Sequence, residues 1–152
     1  MTVTLFRTTL AALVACGAVG PVAAQLKDAK DDVKAHLEKL AGTWKLEKEI
    51  RDGEERKKVE DIQLTFKGDK VTLSEDGKAM EATVKIDPST KPAEMDITLK
   101  EGGKEETLQA IYELNGDTLQ LAFNKEGGVR PAKFESAAGS KVTVATLKRV
   151  KK

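Results

Sequence analysis

Residues 62–73 read Ile62-Gln63-Leu64-Thr65-Phe66-Lys67-Gly68-Asp69-Lys70-Val71-Thr72-Leu73, and the fold follows from that stretch. Apolar and polar side chains alternate on both sides of Gly68-Asp69. A period of two sends successive side chains to opposite faces of a strand, and a Gly-Asp pair between two such runs is a hairpin turn. Two antiparallel strands result, each apolar on one face only.

The pattern extends both ways. Upstream, Trp44, Leu46 and Ile50 alternate with charged residues. Downstream come Met80, Ala82, Val84 and Ile86, then Met95, Ile97 and Leu99, then Leu108, Ala110 and Tyr112, then Leu119, Leu121 and Phe123, and finally Val142 and Val144. Asp52-Gly53, Asp76-Gly77, Pro88 with Pro92, Gly102-Gly103, Asn115-Gly116, Gly127-Gly128 and Gly139 punctuate them, as turns require. Eight or nine strands of about six to nine residues, with no helix between them, predict an antiparallel meander. A flat sheet with one apolar face would leave that face wet, so the sheet must curl. Sequential hairpins favour an up-and-down β-barrel over a sandwich.

Before Gly42, residues 25–41 read as one amphipathic helix. Ala29, Val33, Leu37 and Leu40 line one face, Asp28 is the expected N-cap, and Gly42 supplies the stop. The apolar face is narrow, which predicts a helix laid over the end or side of the barrel. Residues 1–24 carry a single charge, Arg7, an apolar run, a Gly20-Pro21 break and the small residues Val22-Ala23-Ala24. This is the pattern of a secretory signal peptide cleaved after Ala24. Leu13-Val14-Ala15-Cys16 offers a competing reading, a lipobox with lipidation at Cys16. Either way the expected location is periplasmic or extracellular. The organisation is then signal peptide 1–24, helix 25–41 and one barrel domain 42–152. Cys16 is the only cysteine, so no disulfide is expected.

Composition narrows the function. With 26 basic and 25 acidic side chains and a formal charge of +1, no electrostatic attraction to nucleic acid is expected. The membrane is expected to matter only through the signal peptide or a lipid anchor. A single histidine, His36, and no cysteine beyond residue 16 leave no base–nucleophile pair and no zinc set. His36 is expected to be solvated or partly packed. Glu75-Asp76-Gly77 and Asn115-Gly116-Asp117 lack the ladder of oxygen ligands of a calcium loop, and no helix follows the paired glycines to make a phosphate loop. No enzyme, cofactor or metal is therefore expected. Arg51–Asp61 holds nine charges of mixed sign in eleven residues, the composition of a solvated loop.

Gly42-Thr43-Trp44, directly after a helix, resembles the G-x-W motif of lipocalins, in which the Trp plugs the closed end of the barrel and an Arg near the end of the last strand packs across it. Arg149 is the matching residue. A longer ordered set is more specific: Leu64–Val71, Ile86-Asp87-Pro88 with Lys91-Pro92 and Asp96, Ile111–Leu119, and Arg130-Pro131 with Phe134. Over residues 38–149 this resembles the lipocalin-like domain of uncharacterised secreted proteins of planctomycete bacteria. The resemblance implies a barrel and a cell-envelope setting, and no chemistry.

Two classes of function stay open. In one, a small apolar, lipid-like ligand sits inside the barrel, lined by Leu64, Leu73, Val84, Ile97, Tyr112, Leu121 and Phe123, with the Tyr112 hydroxyl orienting it. In the other, the interior is packed solid and the chain is a non-catalytic binding module. Short strands and bulky inward residues favour the second. Arg130, set beside Pro131, is a candidate anion contact, with a structural ion pair as the alternative. A monomer is expected, and no protein partner is indicated.

Overall fold

The computed structural model describes residues 22–56 and 61–151. One helix, α1 (Val22–Leu40), precedes nine strands: β1 (Gly42–Arg51), β2 (Glu54–Arg56), β3 (Gln63–Lys67), β4 (Lys70–Glu75), β5 (Lys78–Asp87), β6 (Ala93–Glu101), β7 (Lys104–Asn115), β8 (Thr118–Asn124) and β9 (Val142–Arg149). From β3 to β9 each strand pairs antiparallel with the next, and β1 closes the ring by pairing with both β3 and β9. The protein is thus an antiparallel up-and-down, lipocalin-like barrel of eight strands, with β2 as an extra ninth. The turns are those the sequence demands. Asp76 and Gly77, the two-residue loop between Glu75 and Lys78, both have positive φ (49° and 79°), the primed turn whose twist matches that of the flanking strands.

The main core fills the barrel at the end where β1 begins and β9 finishes. Trp44, Phe66, Met95, Tyr112, Leu119 and Leu147 are all at most 2% exposed there, with Leu40 of α1 completing the layer. Burying each such side chain stabilises by about 1.5–3 kcal/mol relative to leaving it in water. That matters in a domain with no cysteine inside the barrel.

A second cluster lies on the outside of the wall. Ile111, Ala122 and Val144 are buried beneath Ile50, Val142 and Phe134. Phe134 comes from the connection 125–141, which straps across the outer face. Arg130 anchors the strap: its Nη1 donates to the Ala110 carbonyl at 2.6 Å, its Nη2 to Asp96 Oδ1 at 2.7 Å, and its Nε faces Glu94 at 3.3 Å. Ser136 fastens the far end by donating to the Val142 carbonyl at 2.6 Å.

Four details depart from the sequence reading. The strand β1 bulges between Leu46 and Lys48, so its parity inverts. Glu49 and Arg51 stand opposite Ala145 and Thr143 on the inner face, while Ile50 stands opposite Val144 on the outer one. In β9 the inward residues are Thr143, Ala145 and Leu147, and Val142 and Val144 face the strap. Asp28 is an interior residue of α1 and not its N-cap, because Ala23-Ala24-Gln25-Leu26-Lys27 are good helix formers that extend it backwards. Finally, Arg51 and residues 54–56 of the charged run form strand and hairpin rather than loop. Residues 57–60 of that run, and residues 1–21 with Cys16 and most of the expected signal peptide, lie outside the described residues.

Candidate functional site: the two ends of the barrel

One end is closed by α1. The last carbonyls of a helix lack intrahelical partners, and here barrel side chains supply them. Trp44 Nε1 donates to the Leu40 carbonyl at 2.8 Å, and Arg149 donates to those of Lys39 (2.6 Å) and Ala41 (2.7 Å). The guanidinium also lies over the Trp44 ring, 4.2 Å from its centroid, a cation–π contact at the negative end of the helix dipole. Gly42 has φ +122°, and a Cβ there would stand 3.0 Å from Arg149 Nη1. The positive φ favours glycine here, and a Cβ would also press on the guanidinium.

Val84, Tyr112 and Leu121, three of the seven lining candidates, belong to this packed half and are each 2% exposed. The Tyr112 hydroxyl is already engaged: it lies 3.1 Å from Nδ1 of the half-buried His36, whose ring meets the phenol edge-on. The pKa of Tyr112 is pushed up to about 12 by burial, with a smaller contribution from the charge of Asp87. Ionisation is therefore easier in the unfolded chain, near 10, than in the folded one. The associated stability, about 2–3 kcal/mol, is fully present below pH 10 and lost as pH rises towards 12. Tyr112 is the only tyrosine, so the tyrosinate absorbance band reads this one group. We expect no band in the folded protein until the pH approaches 12, and a band near pH 10 in urea.

The opposite end is a mouth. The inward residues Leu64, Leu73, Ile97 and Phe123, with Leu99 and Leu108, are only half-buried, and Met80 is 38% exposed. The strands β5 and β7, at 10 and 12 residues, are longer than the sequence suggested, and their extra length raises the rim of this mouth. Against its apolar wall stand Glu49 and Arg51, paired at 2.6 Å with side chains 12% and 28% exposed. Directly opposite Arg51 is Thr143, 1% exposed. Sequence reasoning missed these three. The bulge that turns Glu49 and Arg51 inward has no signature in Leu46-Glu47-Lys48-Glu49, where three polar residues follow one another.

Outside the barrel, one cleft of about 330 Å³ is lined by Lys85, Asp87, Glu94, Asp96 and Arg130. The carboxylates of Glu94 and Asp96 are the anions that hold Arg130. Asp87 sits below the usual carboxylate range because the Ser89 hydroxyl and amide donate to it. A second cleft, about 390 Å³, lies where Glu38 and Lys39 meet Leu114, Gly116 and Arg149. Among the described residues no group of three or more His, Cys, Asp or Glu is placed to hold a metal ion.

The class of molecule is thus a helix-capped, lipocalin-like barrel, packed at one end and open at the other. Comparison of the chain with protein-family models, with curated proteins and with solved structures returns no match.

Proposed function

We propose that the chain is a non-catalytic binding module of the cell envelope that takes an apolar group in the shallow mouth of its barrel. The observation that carries this reading is the contrast along the barrel axis. Trp44, Phe66, Met95, Tyr112, Leu119 and Leu147, on the α1 side, are at most 2% exposed, whereas Leu64, Leu73, Ile97 and Phe123 of the mouth are half-buried. Apolar side chains held half-exposed on a rigid wall gain by being covered. A carrier with its ligand deep in the barrel has less support, because Val84, Tyr112 and Leu121 already occupy that space.

The test uses methyl-labelled protein and 1-decanol as the probe. Shifts are expected at the methyls of Leu64, Leu73, Ile97 and Leu108, with those of Val84, Leu119 and Leu147 unmoved. Val84→Phe overpacks a filled region and is expected to cost about 1–3 kcal/mol without weakening the probe. Shifts at Val84 and Leu121, abolished by a Val84→Phe protein of unchanged stability, would establish the deep carrier instead.

Export to the envelope rests on residues 1–24, and the ordered motifs of 38–149 support placing the chain with secreted lipocalin-like domains. Among the described residues, every side-chain hydrogen bond that fastens the end of α1 to the barrel involves His36 or a later residue, so cleavage after Ala24 leaves these bonds in place. An intact mass beginning at Gln25 is the expected result. A lipid-modified chain beginning at Cys16 would replace cleavage after Ala24 with anchoring.

A further inference from the structure

Among the described residues, two polar atoms in the mouth have no hydrogen-bond partner: Arg51 Nε and Thr143 Oγ1. Both are buried, and their residues face one another across β1 and β9 on the inner face of the barrel. A buried donor left unpaired is costly, and native proteins place a water or a ligand at such a position. The chemistry of the missing partner follows from the atoms. A guanidinium Nε can only donate and a threonine hydroxyl can donate, so the partner is an acceptor oxygen.

Its charge follows from the neighbours. Arg51 is already paired with Glu49 at 2.6 Å, and Glu54 and Arg56 of β2 stand opposite Arg51 and Glu49 on the same face. That makes two charges of each sign, so the patch offers no net attraction to an anion or a cation. We propose that the mouth binds a neutral amphipathic molecule, its hydroxyl or carbonyl oxygen accepting from Arg51 Nε and Thr143 Oγ1 while its apolar body lies along Leu73, Ile97 and Phe123. Both atoms are covered in the free protein, so entry requires Arg51 to turn about its side-chain torsions. With 28% of its side chain exposed, it has room to do so. This inference rests on the mouth reading above and adds the ligand's chemical class.

The experiment compares four probes of one chain length on the purified protein, n-decane, 1-decanol, sodium decanoate and decylamine, with the Arg51 Nε–H resonance as the local reporter. 1-Decanol is expected to bind about tenfold more tightly than decane, roughly the worth of one buried hydrogen bond, and to move the Arg51 signal. Thr143→Val keeps the shape and removes the unpaired hydroxyl, so it is expected to fold with undiminished stability. In that variant 1-decanol should lose part of its advantage over decane, since Arg51 Nε is left to donate alone, with decane unchanged. Equal binding of decane and decanol in both proteins would overturn the polar contact and leave the apolar mouth standing. Tighter binding of decanoate or decylamine would overturn the neutral class. No binding of any probe would overturn both, leaving water as the partner of the two donors.

Discussion

Trp44→Ala is expected to lower the unfolding free energy by about 3–5 kcal/mol, the cost of deleting a fully enclosed aromatic side chain. Trp44 is 0% exposed, and the change does three things at once. It empties the layer formed with Leu40, Phe66 and Leu147. It removes the indole donor from the Leu40 carbonyl, and it takes away the surface beneath Arg149. A domain of this size is stabilised by about 5–15 kcal/mol in total, so the variant should sit near the edge of folding at physiological temperature. Urea unfolding followed by far-ultraviolet circular dichroism measures it. A loss below about 1 kcal/mol would mean that the ring contributes no more than an exposed residue does.

Arg149→Ala is expected to cost about 2–4 kcal/mol, through the two helix-terminal carbonyls it leaves unpaired and the lost cation–π contact. The Lys39 and Ala41 carbonyls have no other partner described, and the guanidinium spans both. Arg149→Lys should recover less than half of that loss, since a single ammonium cannot serve two divergent acceptors. Emission of Trp44, the only tryptophan, should move to the red in Arg149→Ala as the end of α1 lifts and water reaches the ring. Because Trp44 and Arg149 share the same helix terminus, their losses should not add. The double variant is expected to fall short of the sum by about 0.5–3 kcal/mol. Additive losses would show that Arg149 and Trp44 hold α1 independently.

These two residues are legible in the sequence. Glycine and tryptophan after a helix, followed at the far end of the chain by an arginine closing the last strand, leave a recognisable pattern because the plug is local at both ends. The mouth was only partly legible. Leu64, Leu73, Ile97 and Phe123 follow from period two alone, but the same period drew Val84, Tyr112 and Leu121 into the list, where packing encloses them. Alternation says which way a side chain faces. How far along the barrel axis it lies, and what already fills the space there, depends on the stagger of all eight strands.

Arg130 shows the same division. Its position beside Pro131 marked it as fixed, but the sequence left open whether a ligand or the protein holds it. Glu94 and Asp96, about 35 residues upstream, answer that only when β6 lies beneath the strap.

By itself the sequence determined the eight barrel strands between Gly42 and Arg149, their hairpin order, the presence of a helix before them and the barrel they must close, because period-two alternation and turn residues are local and repeated. The tertiary structure decided the faces of β1 and β9. Val142-Thr143-Val144-Ala145-Thr146-Leu147 carries apolar residues at both parities, since one face is covered by the core and the other by Phe134. Burial on both sides erases the period that would tell them apart. The bulge after Leu46 shifts β1 by one residue against β9, and a one-residue shift moves every later side chain to the opposite face. Glu49, Arg51 and Thr143 therefore meet inside the mouth through a register that no stretch of the chain encodes alone.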